Sequence, residues 1–358
     1  MSFALNVPIN LVSFGQVATT WLRKLYERNA CPLVFPIGGQ ADLSTQHLDA
    51  PFVSWLQTQI NLSVESHCRK NPTLKLWHLD GSLDSFSEKQ VLLSFYELDS
   101  PTQREINIGK NNTLVFSSKY TCEVFKSSGV NCHHVPLGFD HYNFKKLDKQ
   151  FFTDGRVTFN LVGKLEKRKR HEKTIRAWVK KYGNNPRYFL QCAVYNHFLK
   201  PEDNQALVNN ILEGKKYFNV NFLGFMQKNS TYNDFLNSGD IILATSGGEG
   251  WGLPEFHSVA VGKHAVVLNE HGYKEWANEK NSTLFNSSGK IECYDGIFFK
   301  KGESLNQGNI FDFNEDDFLS ACEEAVKKVG KNRVNEEGLK LQETFTIDKT
   351  LDGLMELL

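Results

Sequence analysis

The chain has 358 residues, with 41 basic and 41 acidic side chains and a formal net charge of zero. That length exceeds what one hydrophobic core ordinarily serves and points to two domains. The charge balance supplies no general attraction to nucleic acid or to an anionic bilayer. With 40% hydrophobic and 23% charged residues, the composition is that of a folded globular protein, neither disordered nor membrane-embedded.

In chain order, the apolar run Ile9–Phe14 reads as a buried strand, and Val17, Trp21 and Leu25 then recur at helical spacing. Leu33–Ile37, Leu74–Leu79, Leu92–Tyr96, Thr113–Phe116 and His134–Leu137 read as further strands. Phe52, Leu56 and Ile60 mark a helix between two of them. Asp140–Asp154 is polar, Lys-rich and without period, and reads as a linker. The alternation then restarts, with strands expected at Val157–Val162, Tyr188–Ala193, Val220–Leu223, Ile241–Ala244 and Ala265–Leu268. Helices are expected over 171–182, 202–214, 230–237, 253–262 and 316–329. Strands that alternate with helices imply parallel sheets, and the loops after the strands are where such sheets bind ligands. The seven cysteines are scattered and none forms a Cys-x-x-Cys pair, which suits reduced thiols and a cytoplasmic protein. The first basic residue is Arg23 and every apolar run is too short to span a bilayer, so neither a secretion signal nor an integral membrane segment is expected.

Two segments carry the chemistry. Ser246-Gly-Gly-Glu-Gly-Trp-Gly-Leu-Pro-Glu255 lies between an apolar strand and a helical pattern. Its four glycines are expected to leave main-chain N–H groups open to a ligand, next to the positive end of a helix. Glu249 in that loop could accept hydrogen bonds from sugar hydroxyls, or it could be a helix-entry charge on a mobile loop. Asn160-Leu-Val-Gly-Lys-Leu-Glu-Lys-Arg-Lys-Arg170 is again strand, glycine and helix, and between Gly163 and Lys181 nine residues are basic and two acidic. Two cations five residues apart could close on a diphosphate and neutralise charge on a leaving group. A solvated basic helix is the alternative. A nucleic-acid patch lacks interleaved aromatic residues.

Together these residues resemble family 4 glycosyltransferases of the GT-B fold. Gly163-Lys-Leu-x-x-x-Lys169 is similar to that family's Gly-Arg-Leu-x-x-x-Lys signature, and Glu249-Gly-Trp-Gly-Leu-Pro254 to its Glu-Gly-Phe-Gly-Leu-Pro. Pro136-Leu-Gly-Phe-Asp140 resembles the segment that closes the first domain, and Val220-Asn-Phe-Leu-Gly224 the strand beside the donor base. The resemblance implies two Rossmann-like α/β domains facing a cleft: an acceptor domain at 1–145 and a nucleotide-sugar domain at 150–335. It also implies a C-terminal helix at 336–358 that crosses back to the first domain. It implies a retaining hexosyltransferase that takes a UDP- or GDP-linked sugar to a glycan, lipid-linked or other acceptor, without metal or other cofactor. Lys164 and Lys169 would face the pyrophosphate and Glu249 the transferred sugar. Gly163, Gly250, Trp251, Gly252 and Leu253 would approach phosphate or sugar oxygens, Gly224, Phe225 and Met226 would line the base pocket, and Gly15 would lie in an N-terminal donor or acceptor loop. His78, in Trp77-His-Leu-Asp80 at the end of a strand, could accept or relay the acceptor proton or bond the sugar, with Asp80 orienting it, or could simply pack there; Glu97 is a cleft or interdomain residue without an assigned role.

Two departures stand out. Lys164 replaces the family's usual arginine and loses the bidentate fork. His257 stands where the family has a second glutamate that holds the ribose; a neutral imidazole could accept one bond there, or simply pack under the loop. A non-catalytic or degenerate sugar-nucleotide binder and a nucleotide-sugar epimerase are the rival readings, and the basic helix after Gly163 leaves room for peripheral membrane contact.

Overall fold

The computed structural model describes residues 2–47 and 49–358. Strands β1 (Ala4–Ile9), β2 (Leu33–Ala41), β3 (Thr73–Leu76), β4 (Gln90–Ser94), β5 (Thr113–Phe116) and β6 (Cys132–His134) form a parallel sheet in the order β2-β1-β3-β4-β5-β6. Helices α1 (Ser13–Glu27), α2 (Ala50–Ser66), α3 (Gln103–Lys110) and α4 (Lys119–Ser127) connect them. A second parallel sheet holds β7 (Val157–Gly163), β8 (Tyr188–Val194), β9 (Val220–Phe222), β10 (Ile241–Ala244), β11 (His264–Leu268) and β12 (Thr283–Phe285) in the order β12-β11-β10-β7-β8-β9. Its helices are α5 (His171–Tyr182), α6 (Pro201–Ile211), α7 (Asn229–Ser238) and α8 (Leu253–Ala260). An antiparallel hairpin, β13 (Ser287–Glu292) and β14 (Asn309–Phe313), precedes α9 (Glu315–Lys331), and α10 (Glu336–Leu339), α11 (Leu341–Thr344) and α12 (Ile347–Met355) close the chain. Among the described residues no helix is long and apolar enough to cross a membrane.

Every residue of β10 and β11 is buried, as expected of parallel strands covered on both faces. The first strand is displaced from its expected place: β1 ends at Ile9, and Val12 is exposed in the turn before α1. Asn6 and Pro8 disguise β1, but each has a local solution. The Asn6 side-chain amide donates to the Phe35 carbonyl at 2.9 Å. Pro8 lies beyond the last β1–β3 pair, where a missing N–H costs nothing.

The presumed linker is held along α7: Lys145 and Leu147 donate their N–H groups to the Asn233 and Asn237 side chains at 3.1 and 2.9 Å. At the end of the chain, α12 crosses back to the first domain. The Phe139 N–H donates to the Phe345 carbonyl at 2.8 Å and the Thr350 hydroxyl to the Pro136 carbonyl at 2.7 Å. The Arg28 guanidinium bonds Asp348 at 3.0 Å and Asp352 at 2.7 Å. The crossing needs glycine at 138, because a Cβ there would collide with the backbone of Thr346 and Ile347. Gly138→Ala is therefore expected to destabilise the protein by about 1–3 kcal/mol and lower its apparent Tm. An unchanged melting curve would show that this contact yields freely.

Candidate functional site

β7 and β10 are hydrogen-bonded neighbours although the chain visits β8 and β9 between them. This reversal of strand order sets the loops after β7 and β10 side by side. The first loop supplies cations. Gly163, at φ 113°, leaves room for the Lys169 stem, which would lie 3.3 Å from a Cβ there. A 3₁₀ turn over Lys167–Lys169 and a left-handed Arg170 (φ 57°) then aim Arg168 and Lys169 inward, leaving them 7% and 8% exposed.

The second loop supplies Glu249, which is 7% exposed. Its Oε1 accepts from the Lys169 ammonium at 2.5 Å and from the Arg168 guanidinium at 3.1 Å. Arg168 also donates to the Gly248 carbonyl and to Glu166 at 2.7 Å. Glu166 meets Lys164 at 2.8 Å. Burial pushes the Glu249 carboxyl up, but the charges of Lys169 and Arg168 overcome it and hold the group at about 2. Burial likewise works against the Lys169 ammonium, and the Glu249 charge more than restores it. Glu255, buried in the first turn of α8, is pushed up by burial and receives the Tyr273 hydroxyl at 3.1 Å. The site thus holds one firmly ionised carboxylate between two fixed cations.

The first domain closes over this pair of loops. The space that side chains at Gly248 and Gly250 would fill is taken by the Glu97 carbonyl and by Phe95. The Ser117 hydroxyl donates to the Gly250 carbonyl at 2.9 Å. The glycines expected to expose the backbone to a ligand thus admit another stretch of protein backbone, and residues 241–252 are all buried.

No protein-family model and no curated relative matches the chain. Solved structures do. Sucrose-phosphate synthase from Thermosynechococcus elongatus superposes with a TM-score of 0.72 at 10% identity, covering 100% of this chain and 98% of its own. A Rickettsia africae glycosyltransferase gives 0.68 at 12% identity, with 99% and 97% coverage. Anabaena HepE in complex with UDP-glucose gives 0.64 at 13%, with 99% and 98% coverage. This chain has the GT-B fold.

Around the GT-B cleft the expected residues scatter. Glu249, Lys169, Gly163 and Gly250 meet in one cluster, with Lys164 at its edge and its ammonium 3.7 Å from the centre of the Phe298 ring. Trp251 is buried beneath the loop, its carbonyl accepting from the Trp276 indole at 2.9 Å. Gly252 (φ 81°) and Leu253 begin α8. Phe225 is 41% exposed and edge-on to the His197 ring at 4.4 Å; a Cβ at Gly224 would meet nothing, and Met226 packs on the core. Gly15 packs against Asn10, whose backbone and side chain occupy the space of its missing Cβ. His78 is exposed and lies tilted against the Phe14 ring, centroids 4.4 Å apart; desolvation and the Lys164 charge lower its pKa. Asp80 does not orient it, being paired with Arg104 at 2.6 Å.

His257 lies on α8 and is 5% exposed. It is buried at the domain junction, stacked on Phe144 at 4.4 Å, and its Nε2 accepts from the Asp140 N–H at 3.4 Å. Sequence reasoning missed Arg168, which looked like one more charge on a basic helix; its position one residue before Lys169, in a turn rather than a helix, was the available signal. The Arg168 side chain is buried among carboxylates whereas Lys164 is half-exposed. Arg168→Ala is therefore expected to cost about 3–5 kcal/mol in unfolding measurements, and Lys164→Ala about 0–1 kcal/mol. Equal losses would refute this ordering.

Burial holds His171, His257 and His271 at about 3, 3 and 4, against an ordinary 6.5. A lowered histidine is neutral in the fold and protonated in the unfolded chain, so stability falls as pH drops through 6.5 toward those values, by up to roughly 1.4 kcal/mol per unit for each group. Glu249, a depressed acid, adds a separate loss only below its ordinary 4.5. His257→Phe, which keeps the stack on Phe144, should flatten the decline of apparent Tm between pH 6.5 and roughly pH 4.5. An unchanged slope would contradict the neutral, buried assignment.

Proposed function

We propose that the protein is a retaining glycosyltransferase that moves a hexose from a UDP- or GDP-linked donor to a hydroxyl of a glycan or lipid-linked acceptor. The observation that carries this reading is the Glu249 carboxylate fixed between Lys169 and Arg168 at the strand-order reversal of a full-length GT-B fold. In this reading Lys169 and Arg168 neutralise the diphosphate as it departs, without a divalent metal. Donors aimed at developing charge lower the barrier because they need no reorganisation. Glu249 gives Oε1 to the cations and in this reading its remaining lone pairs accept from two neighbouring sugar hydroxyls once Phe95–Glu97 move off the glycine loop. In this reading His78, exposed in the first domain with its pKa lowered, accepts or relays the acceptor proton. His197 and Phe225 offer ring edges and faces to the base.

The same geometry separates binding from turnover. Glu249→Gln removes the anion that occupies Lys169, so nucleoside diphosphate affinity should be kept or tightened. The transferred sugar loses its charged acceptor, and kcat should fall by about 10²-fold or more. The assay follows donor hydrolysis and transfer over a panel of UDP- and GDP-hexoses, in EDTA, alongside calorimetric titration of UDP and GDP. Full turnover by the variant, or activity that requires added manganese, would overturn the reading.

A further inference from the structure

Cys122 in α4 and Cys132 at the start of β6 are separate in sequence, and the fold brings them together. Helix α4 ends at Ser127, and Gly129 turns the chain back with a φ of 76° that favours glycine. The Val130 N–H then donates to the Phe125 carbonyl at 3.1 Å, and β6 enters the sheet with Cys132 opposite Leu114. The Cys122 sulfur lies 3.3 Å from the His133 carbonyl oxygen, and the Cys132 sulfur 3.4 Å from the Cys122 carbonyl oxygen. The two thiols also hydrogen-bond each other. A disulfide draws its sulfurs to about 2.05 Å, so a pair already in hydrogen-bonding contact is near the geometry it requires.

The two sulfurs differ in a way that sets the order of attack. Cys132 is 8% exposed and Cys122 3%. The Cys122 hydrogen bond, joined by the Lys126 charge and opposed by burial, lowers the Cys132 pKa. The same bond and burial raise that of Cys122. Thiolate is the nucleophilic form, so Cys132 meets an oxidant first. Of the other cysteines, Cys192, Cys293 and Cys322 are fully enclosed, whereas Cys31 and Cys68 are exposed.

We propose that Cys132 and Cys122 are a redox-active pair, an attacking and a resolving thiol that close to a disulfide under hydrogen peroxide. The Cys132 thiolate attacks one peroxide oxygen, the O–O bond breaks, and the departing hydroxide takes up the proton that Cys132 released. The Cys122 sulfur then attacks the sulfur of the resulting sulfenic acid, the S–O bond breaks, and water leaves with the Cys122 proton. Two thiols are oxidised by two electrons, and one peroxide is reduced to two waters. The bridge joins the two elements that hold Glu275 of the second domain: the Lys119 N–H of α4 donates to its Oε1 at 2.6 Å, and His134 Nε2 of β6 lies 3.0 Å from its Oε2. The proposal does not rest on the transferase reading.

The test is peptide mapping of the reduced, folded full chain after exposure to hydrogen peroxide, with free thiols alkylated before digestion. Trypsin should release Tyr120–Lys126 joined to Ser127–Lys145, a product that dithiothreitol splits. Cys122→Ala and Cys132→Ala should each lose that product. Dimedone, which traps sulfenic acids, should mark Cys132 in the Cys122→Ala chain and leave Cys122 unmarked in the Cys132→Ala chain. Thermal melting shows whether both variants are folded, and the map of the native chain decides even where one is not. The proposal is overturned if Cys122 and Cys132 are both recovered alkylated while Cys31 and Cys68 are oxidised. A link from either thiol to Cys293, or dimedone on Cys122 in the folded Cys132→Ala chain, overturns it as well.

Discussion

An ionised carboxylate with little access to water cannot persist alone, and the construction around Glu249 follows from that requirement. Its charge is compensated at one oxygen by two cations from a neighbouring loop. For that loop to arrive, β7 must lie beside β10, so the order of the second sheet has to reverse there. Gly163 takes a φ of 113° that favours glycine and leaves the Lys169 stem room, and Arg170 adopts a left-handed backbone where the chain turns into α5. These local irregularities bring two buried cations against the buried Glu249 carboxylate.

Glycines serve a second purpose, the close approach of two domains. The Glu97 carbonyl and the Phe95 side chain sit where Cβ atoms at 248 and 250 would be, and α12 lies on Gly138 on the other side of the molecule. The β13–β14 hairpin adds a third contact. Asp99 accepts from the Asn309 N–H at 2.8 Å and from Lys290 at 2.9 Å, while Cys293, Phe299 and Ile310 join the apolar cluster of Leu98 and Ile108. In this arrangement Phe95 and Glu97 pack against the glycine loop and leave Glu249 only 7% exposed.

The sequence patterns revealed most of the second domain, where strands are continuous apolar runs; Ile241–Ala244 was legible to the residue and α5 from His171 to Tyr182. They misplaced β1, because its polar Asn6 and its proline are satisfied by tertiary contacts that local periodicity does not register. Helices α3 and α4 escaped notice as short amphipathic pieces, although Thr102 and Glu105 form a capping box that could have been read. Within the site, the carboxylate and one lysine were legible as a motif. Arg168 was not, because burial of one cation among nine is decided by a turn and by the partner loop, both remote from its own neighbours in sequence.

His257 shows how a departure from a family pattern can have a local cause. Its surroundings are Phe139, Phe144 and the buried Asp140, whose carboxylate already takes the N–H groups of Tyr142 and Asn143 and the Asn143 side chain. Burial raises the Asp140 pKa despite those bonds, so this site is already poor at holding one negative charge. A glutamate at 257 would bring a second carboxylate into the same apolar junction, where like charges and desolvation act together against ionisation. A neutral imidazole avoids both costs: Nε2 accepts from the Asp140 N–H, the other nitrogen bonds the Leu253 carbonyl, and the ring stacks on Phe144. The histidine is thus matched to the junction between the domains.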